Sequence, residues 1–165
     1  MTGLRPIKVE SLQAKLGYEF ANGDLLVRAL THRSAGKVHN ERLEFLGDAI
    51  IGFAVAEAFF HRFPEVDEGT LSRMRASVVS GEALSRVARE LGLSDHLILG
   101  ESERKSGGRH RESILADTLE ALAGAVLLDD GTERALTVVG HWLVSSLEAV
   151  SPQDVVDAKT QLQEW

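Results

Sequence analysis

NERLEFLGDAI, residues 40–50, has the apolar density of a buried helix yet carries Glu41, Glu44 and Asp48 within about two turns. At roughly 100° per residue, the offsets i, i+3 and i+7 put these carboxylates within about 60° of arc, on one stripe. Leu43, Leu46, Ile50 and Phe53 lie on the opposite side, and Gly52, Val55 and Ala56 continue the acidic stripe without charge. Beyond Asp48 the segment is apolar all round, the pattern of a helix inside a protein.

A second segment, SILADTLEALAGAVLLDD (113–130), repeats the arrangement. Asp117 and Glu120 share a stripe with Ala121, Gly124 and Leu128, while Ile114, Leu115, Leu119, Leu122 and Val126 surround it. Burying an unpaired carboxylate costs several kcal/mol, and like charges one turn apart add repulsion. Only Arg42 lies inside the first cluster, and no basic residue lies inside the second. A divalent cation held by carboxylate oxygens and water answers both the charge and the geometry, and an oxygen-only donor set points to Mg²⁺ or Mn²⁺. The bland alternative, solvated acidic faces on surface helices, suits a single pair better than two pairs on otherwise apolar helices. A di-iron bundle would need Glu-x-x-His on two helices and a zincin needs HExxH; neither pattern occurs.

The whole chain sets the frame. Its 165 residues suffice for one domain with a real core. With 44% hydrophobic and 26% charged residues the composition is globular. No apolar run reaches membrane-spanning length and MTGLRPIKVE lacks a signal-peptide core, so a cytoplasmic protein with no membrane partner is expected. The absence of cysteine excludes disulfides and thiolate metal sites. A net charge of −7 argues against gripping nucleic acid through bulk positive charge.

Helical periodicity dominates, which predicts an all-α fold. Helices are expected near 10–16, 24–32 with Asn22 or Asp24 as cap, from His39 or Asn40 to before Pro64, 70–79, from Ser80 and Gly81 to Leu91, 113–128 and 132–150. The polar, Gly-rich GESERKSGGRHRES (100–113) reads as a mobile loop. Pro152 marks a boundary, after which DVVDAKTQLQEW is only a short amphipathic start.

ALTHRSA (29–35), HNERLEFLGDAI (39–50), FPEVDEGTLSRMRASVV (63–79) and KSGGRHRESILADTLEALAGAVLLD (105–129) together resemble the motifs of the bacterial ribonuclease III family. The resemblance implies an all-helical endonuclease domain, here residues 1–151, that acts as a homodimer on double-stranded RNA. It further implies Mg²⁺, with Mn²⁺ able to substitute, staggered cuts leaving 5′-phosphate and 3′-hydroxyl ends, and processing of ribosomal RNA precursors and mRNA. The family's metal-binding acids fall on Glu44, Asp48, Asp117 and Glu120, with Asp48 and Glu120 catalytic. Glu41 and Glu68 match accessory acids of the same cleft. The aromatic at Phe45 matches one that inserts into the partner subunit. DAKTQLQEW (157–165) resembles the opening of a double-stranded RNA-binding domain, so 152–165 is expected to be a linker and that domain's truncated start.

Candidates for holding phosphates are Arg73 and Arg75 in LSRMRAS and Lys105, Arg109, His110 and Arg111 in the Gly-rich segment. His32, His61, His96 and His141 read as structural or surface residues. Two competing functions are a noncatalytic RNA-binding or dimerisation module and a purely structural helical protein; all four matching acids are retained, which favours the enzyme.

Overall fold

The computed structural model describes residues 6–164. Residues 1–5 of the amino-terminal stretch weighed as a leader, and Trp165 of the DAKTQLQEW motif, lie outside these. The helices are α1 (Pro6–Leu16), α2 (Gly23–Leu30), α3 (Glu41–Arg62), α4 (Glu68–Val79), α5 (Gly81–Glu90), α6 (Glu101–Lys105), α7 (Glu112–Trp142), α8 (Val144–Ala149) and α9 (Pro152–Gln163). The one strand-like pairing among the described residues is a parallel bridge between Thr31 and Ile98. No described helix is long and apolar enough to cross a membrane.

The expected all-α architecture holds. α7 is its axis: Ile114, Leu115, Leu119, Leu122 and Val126 are buried along with the small residues between them. α3, α5 and α2 pack around it, the α3/α7 pair most extensively. Fully burying each such aliphatic side chain stabilises by about 1.5–3 kcal/mol, so this one helix organises much of the core. Gly131, at φ 86°, breaks α7 into residues 112–130 and 132–142, close to the expected boundary. A second interruption, at Leu143, splits the expected 132–150 helix and starts α8.

Local chemistry fixes the other ends. Asn22 accepts from the Asp24 amide at the start of α2, Asp67 from the Thr70 amide at the start of α4, and Ser80 from the Ala83 amide at the start of α5. Gly92, at φ 73°, supplies the left-handed residue after α5. The turn between α1 and α2 is clamped by Asp129, which accepts from the Tyr18 hydroxyl (2.6 Å) and the Ala21 and Asn22 amides (both 2.9 Å).

Three expectations need correcting. Residues 100–113 are not an unstructured connector: they form α6 and a 3₁₀ turn at Gly108–His110, and their polar, five-residue helix is too short to show a hydrophobic period. The carboxyl-terminal segment is not an abandoned start but a formed helix, α9, opened by a capping box between Ser151 and Asp154 with Pro152 at its first position, and packed on α4. Finally, α3 is not enclosed. Leu43 and Ile50 are buried against the core, but Phe53 and Phe60 are 52% and 66% exposed, so the all-round apolar pattern is only partly covered among the described residues.

α3 and α7 meet at two glycines. A Cβ on Gly47 would lie 1.6 Å from the Glu120 carbonyl oxygen, and one on Gly124 would lie 2.3 Å from that of Leu43. Gly47→Ala and Gly124→Ala should each destabilise by about 3 kcal/mol or more, because backbone cannot yield as a side chain can. Gly52→Ala, with nothing within 4 Å of its added methyl, should instead stabilise by about 0.5–1 kcal/mol. Urea denaturation of the three variants measures the contrast.

Candidate metal centre

The glycine crossing decides which side chains meet. Glu44 precedes Gly47 by three residues and Asp48 follows it by one, while Glu120 and Asp117 precede Gly124 by four and seven. All four acids therefore flank the contact and open into one cleft, lined also by His32, Arg33, Ser34 and Asn40 on one wall and Arg111 and Ser113 on another. The cleft encloses about 940 Å³.

Glu44, Asp117 and Glu120 each bring a carboxylate oxygen within 4.8 Å of the others. Asp48 lies outside this tight trio and is exposed at the cleft's edge, beside Glu120. Burial, reinforced by Asp48, Asp117 and Glu44, pushes the Glu120 carboxyl up to about 8. Burial also lifts Glu44 to about 6, helped by Asp117, Glu41 and Asp48. Asp117 is raised by burial too, with His32 pulling the other way. Among the described residues no basic group forms an ion pair with any of the four acids. Three half-buried, uncompensated carboxylates with oxygen-only donors fit a hard divalent cation such as Mg²⁺ or Mn²⁺.

The other predicted residues are distributed more widely. Glu41 lines the cleft and pairs with Arg33 at 3.6 Å. Glu68 does not line it; it sits in the first turn of α4 and accepts from the Ser72 hydroxyl at 2.7 Å. Phe45 borders the cleft at 82% exposure. Of the basic candidates only Arg111 lines the cleft, paired with Glu103. Lys105 pairs with Glu101 on an exposed face, Arg73 donates to the Thr70 hydroxyl, and Arg75, Arg109 and His110 also lie off the cleft. The sequence reading passed over Gly47 and Ser34, noted Gly124 only as a small residue on the acidic stripe, and set His32 aside as structural or surface. A signal was present for Gly124, which sits on the acidic stripe of an otherwise apolar helix; Gly47 lies beside its stripe, between Glu44 and Leu43.

These shifts give metal-free protein a defined pH response. Glu44 and Glu120 titrate higher in the fold than in the unfolded chain, so their stabilisation is complete in mild acid and is lost as pH rises through about 6 and then about 8. Asp67, held low by the Thr70 amide and hydroxyl, acts oppositely and is lost at acid pH. Thermal melting in a chelator should therefore peak near pH 5 and decline towards pH 8.5. Added Mg²⁺ should raise Tm most at the alkaline end and release protons, which calorimetry in buffers of different ionisation enthalpy detects.

A Ribonuclease-III-like family model matches residues 22–147. Ribonuclease 3 of Photorhabdus laumondii is 53% identical over 163 residues, 98% of this chain and 72% of that protein. The nuclease domain of ribonuclease III from Campylobacter jejuni superposes with a TM-score of 0.83 at 39% identity, covering 90% of this chain and all of that one. Dicer from Pichia stipitis is more distant, with a TM-score of 0.61 at 27% identity over 78% of this chain and 57% of that one. With the family model spanning most of the acid-bearing core, the chain belongs to the ribonuclease III family of endonucleases.

Proposed function

We propose that this chain hydrolyses phosphodiester bonds of double-stranded RNA with Mg²⁺, as a homodimer, leaving 5′-phosphate and 3′-hydroxyl ends. The observation that carries the reading is the convergence of Glu44, Asp117 and Glu120, none of which forms an ion pair with a basic group among the described residues. In it, these three acids and Asp48 hold the metal, and Asp48 and Glu120 act at the reacting phosphate. A bound Mg²⁺ would supply an acidified water and offset charge on the phosphoryl oxygens.

What the chain contributes is position. Gly47 and Gly124 bring the two acid-bearing helices together. Glu41, tied to Arg33, and Glu68 serve as accessory acids. Arg111 is placed to meet the RNA backbone at the cleft, with Lys105, Arg109, Arg73 and Arg75 farther along the duplex. An A-form duplex offers its shape, phosphates and 2′-hydroxyls, so little sequence dependence is expected. Processing of ribosomal RNA precursors and mRNA in the cytoplasm accords with this chemistry. Residues 1–151 form the nuclease unit in this reading, and α9 begins a following RNA-binding domain.

Two observations support the dimer. α3 leaves Phe45, Phe53 and Phe60 uncovered, with Leu128 of α7 58% exposed. A second solved structure of the Campylobacter jejuni nuclease domain, with a TM-score of 0.80 at 42% identity, is described in terms of a region involved in dimer formation. A C₂ pair would also match the pseudo-twofold symmetry of duplex RNA, one site per strand, which yields staggered cuts.

Glu120→Ala and Asp48→Ala should each lower Mg²⁺-dependent cleavage of a long RNA duplex by on the order of a hundredfold or more, since even outer-shell partners of a metal are worth tenfold to a hundredfold. Cleavage at the parent rate by either variant would overturn the assignment. Phe45→Ala should weaken self-association about tenfold to a hundredfold, the worth of one buried aromatic, in sedimentation equilibrium. An unchanged monomer–dimer balance would remove Phe45 from the interface.

A further inference from the structure

Once the acids are assigned, the cleft wall still carries polar side chains without a role. Most are engaged: Arg33 with Glu41, Arg111 with Glu103, and the Asn40 amide with the Ala29 carbonyl at 3.0 Å. His32 differs. Both of its hydrogen bonds are made at Nδ1, and Nε2 has none among the described residues.

The contacts at Nδ1 define the ring. The Ser34 amide, which can only donate, lies 3.1 Å from it, so Nδ1 is an acceptor and the ring proton sits on Nε2. The Ser34 hydroxyl lies 2.7 Å from the same nitrogen and accepts from the Gly100 amide at 2.9 Å, which turns its own proton towards the imidazole. The backbone beneath is equally fixed. The His32 amide donates to the Ile98 carbonyl at 2.9 Å, the Asn40 amide to that of Thr31 at 2.9 Å, and Gly100 packs so closely that a Cβ there would lie 2.3 Å from the Ser34 carbonyl oxygen.

A half-buried N–H donor is thus held without a partner on the wall of a cleft whose floor is acidic. Carboxylates repel a phosphate, so an RNA strand drawn towards them needs donors on the walls as well as a metal beneath. We propose that His32 is a substrate-binding residue whose Nε2–H donates to a phosphodiester oxygen of the RNA strand crossing the acid cleft. This rests on the double-stranded RNA reading above.

Asn and Gln separate the two ends of the ring. His32→Asn keeps an acceptor near the Nδ1 position, and with it the cap on the Arg33–Ala35 turn, but loses the far N–H; His32→Gln returns a donor near Nε2. Both are compared in the Glu120→Gln background with Mg²⁺, by the Kd for an RNA duplex and by Tm. Loss of a hydrogen bond to a charged group should weaken binding by His32→Asn about tenfold or more, with Tm unchanged and His32→Gln within about threefold of the parent. Parent-like binding by His32→Asn, or weakening of both variants in step with a fall in Tm, would show that the ring only caps its turn. Cleavage by the protein with Glu120 and His32 intact, run in parallel, tests the nuclease reading separately, since the binding comparison does not depend on turnover.

Discussion

The contact between Gly47 and Gly124 governs this molecule. A side chain at either position would collide with the opposite backbone, so α3 and α7 approach more closely than Leu or Ile would allow. Gly124 stands on the acidic stripe of α7, and Gly47 directly beside that of α3, between Glu44 and Leu43. The closest approach of two apolar helices is therefore also the place where carboxylates converge. Packing and metal-site geometry are one contact, and loosening it would separate the ligands and open the core together.

That arrangement carries an electrostatic cost which the apolar body of α7 must offset. Glu120 and Glu44 are raised by burial first and mutual repulsion second, so the site accepts protons readily in the absence of metal. A cationic side chain would have relieved the strain, but the nearby arginines are held on the walls by Glu41 and Glu103. The same glutamates that restrain those arginines leave the floor free for a metal. In the proposed enzyme, stability in the metal-free state is traded for ligand readiness, a common economy at functional sites.

Much of this was legible in the sequence because α3 and α7 are long and periodic. Spacing alone placed Glu44 with Asp48 and Asp117 with Glu120, and the structure brings both pairs to one cleft. What spacing could not convey was how closely two helices approach, since a glycine in a helix reads as a small loss of propensity until its neighbour is known. α6 escaped notice because five polar residues show no period. α9 was more legible than the short amphipathic start expected after Pro152: Ser151, Pro152 and Asp154 carry the capping box and first-turn proline of a helix start. The apolar circumference of α3 was also a correct signal with an incomplete inference. Periodicity reports that a face must be covered, and does not say which chain covers it.

His32 shows the same limit at the scale of one side chain. As a letter in THRS it has no periodic context, and a lone histidine is more often structural than functional. Only the placement of Ser34 and Gly100 against Nδ1 shows which nitrogen carries the proton and which is left without a partner. The helices supply acids through repetition along one axis, which a sequence displays. The walls supply donors through loops that meet at the Thr31–Ile98 bridge, 67 positions apart, which it does not. A cleft that must hold a cation and an anion together needs both kinds of construction, so half of it stays hidden until the chain is folded.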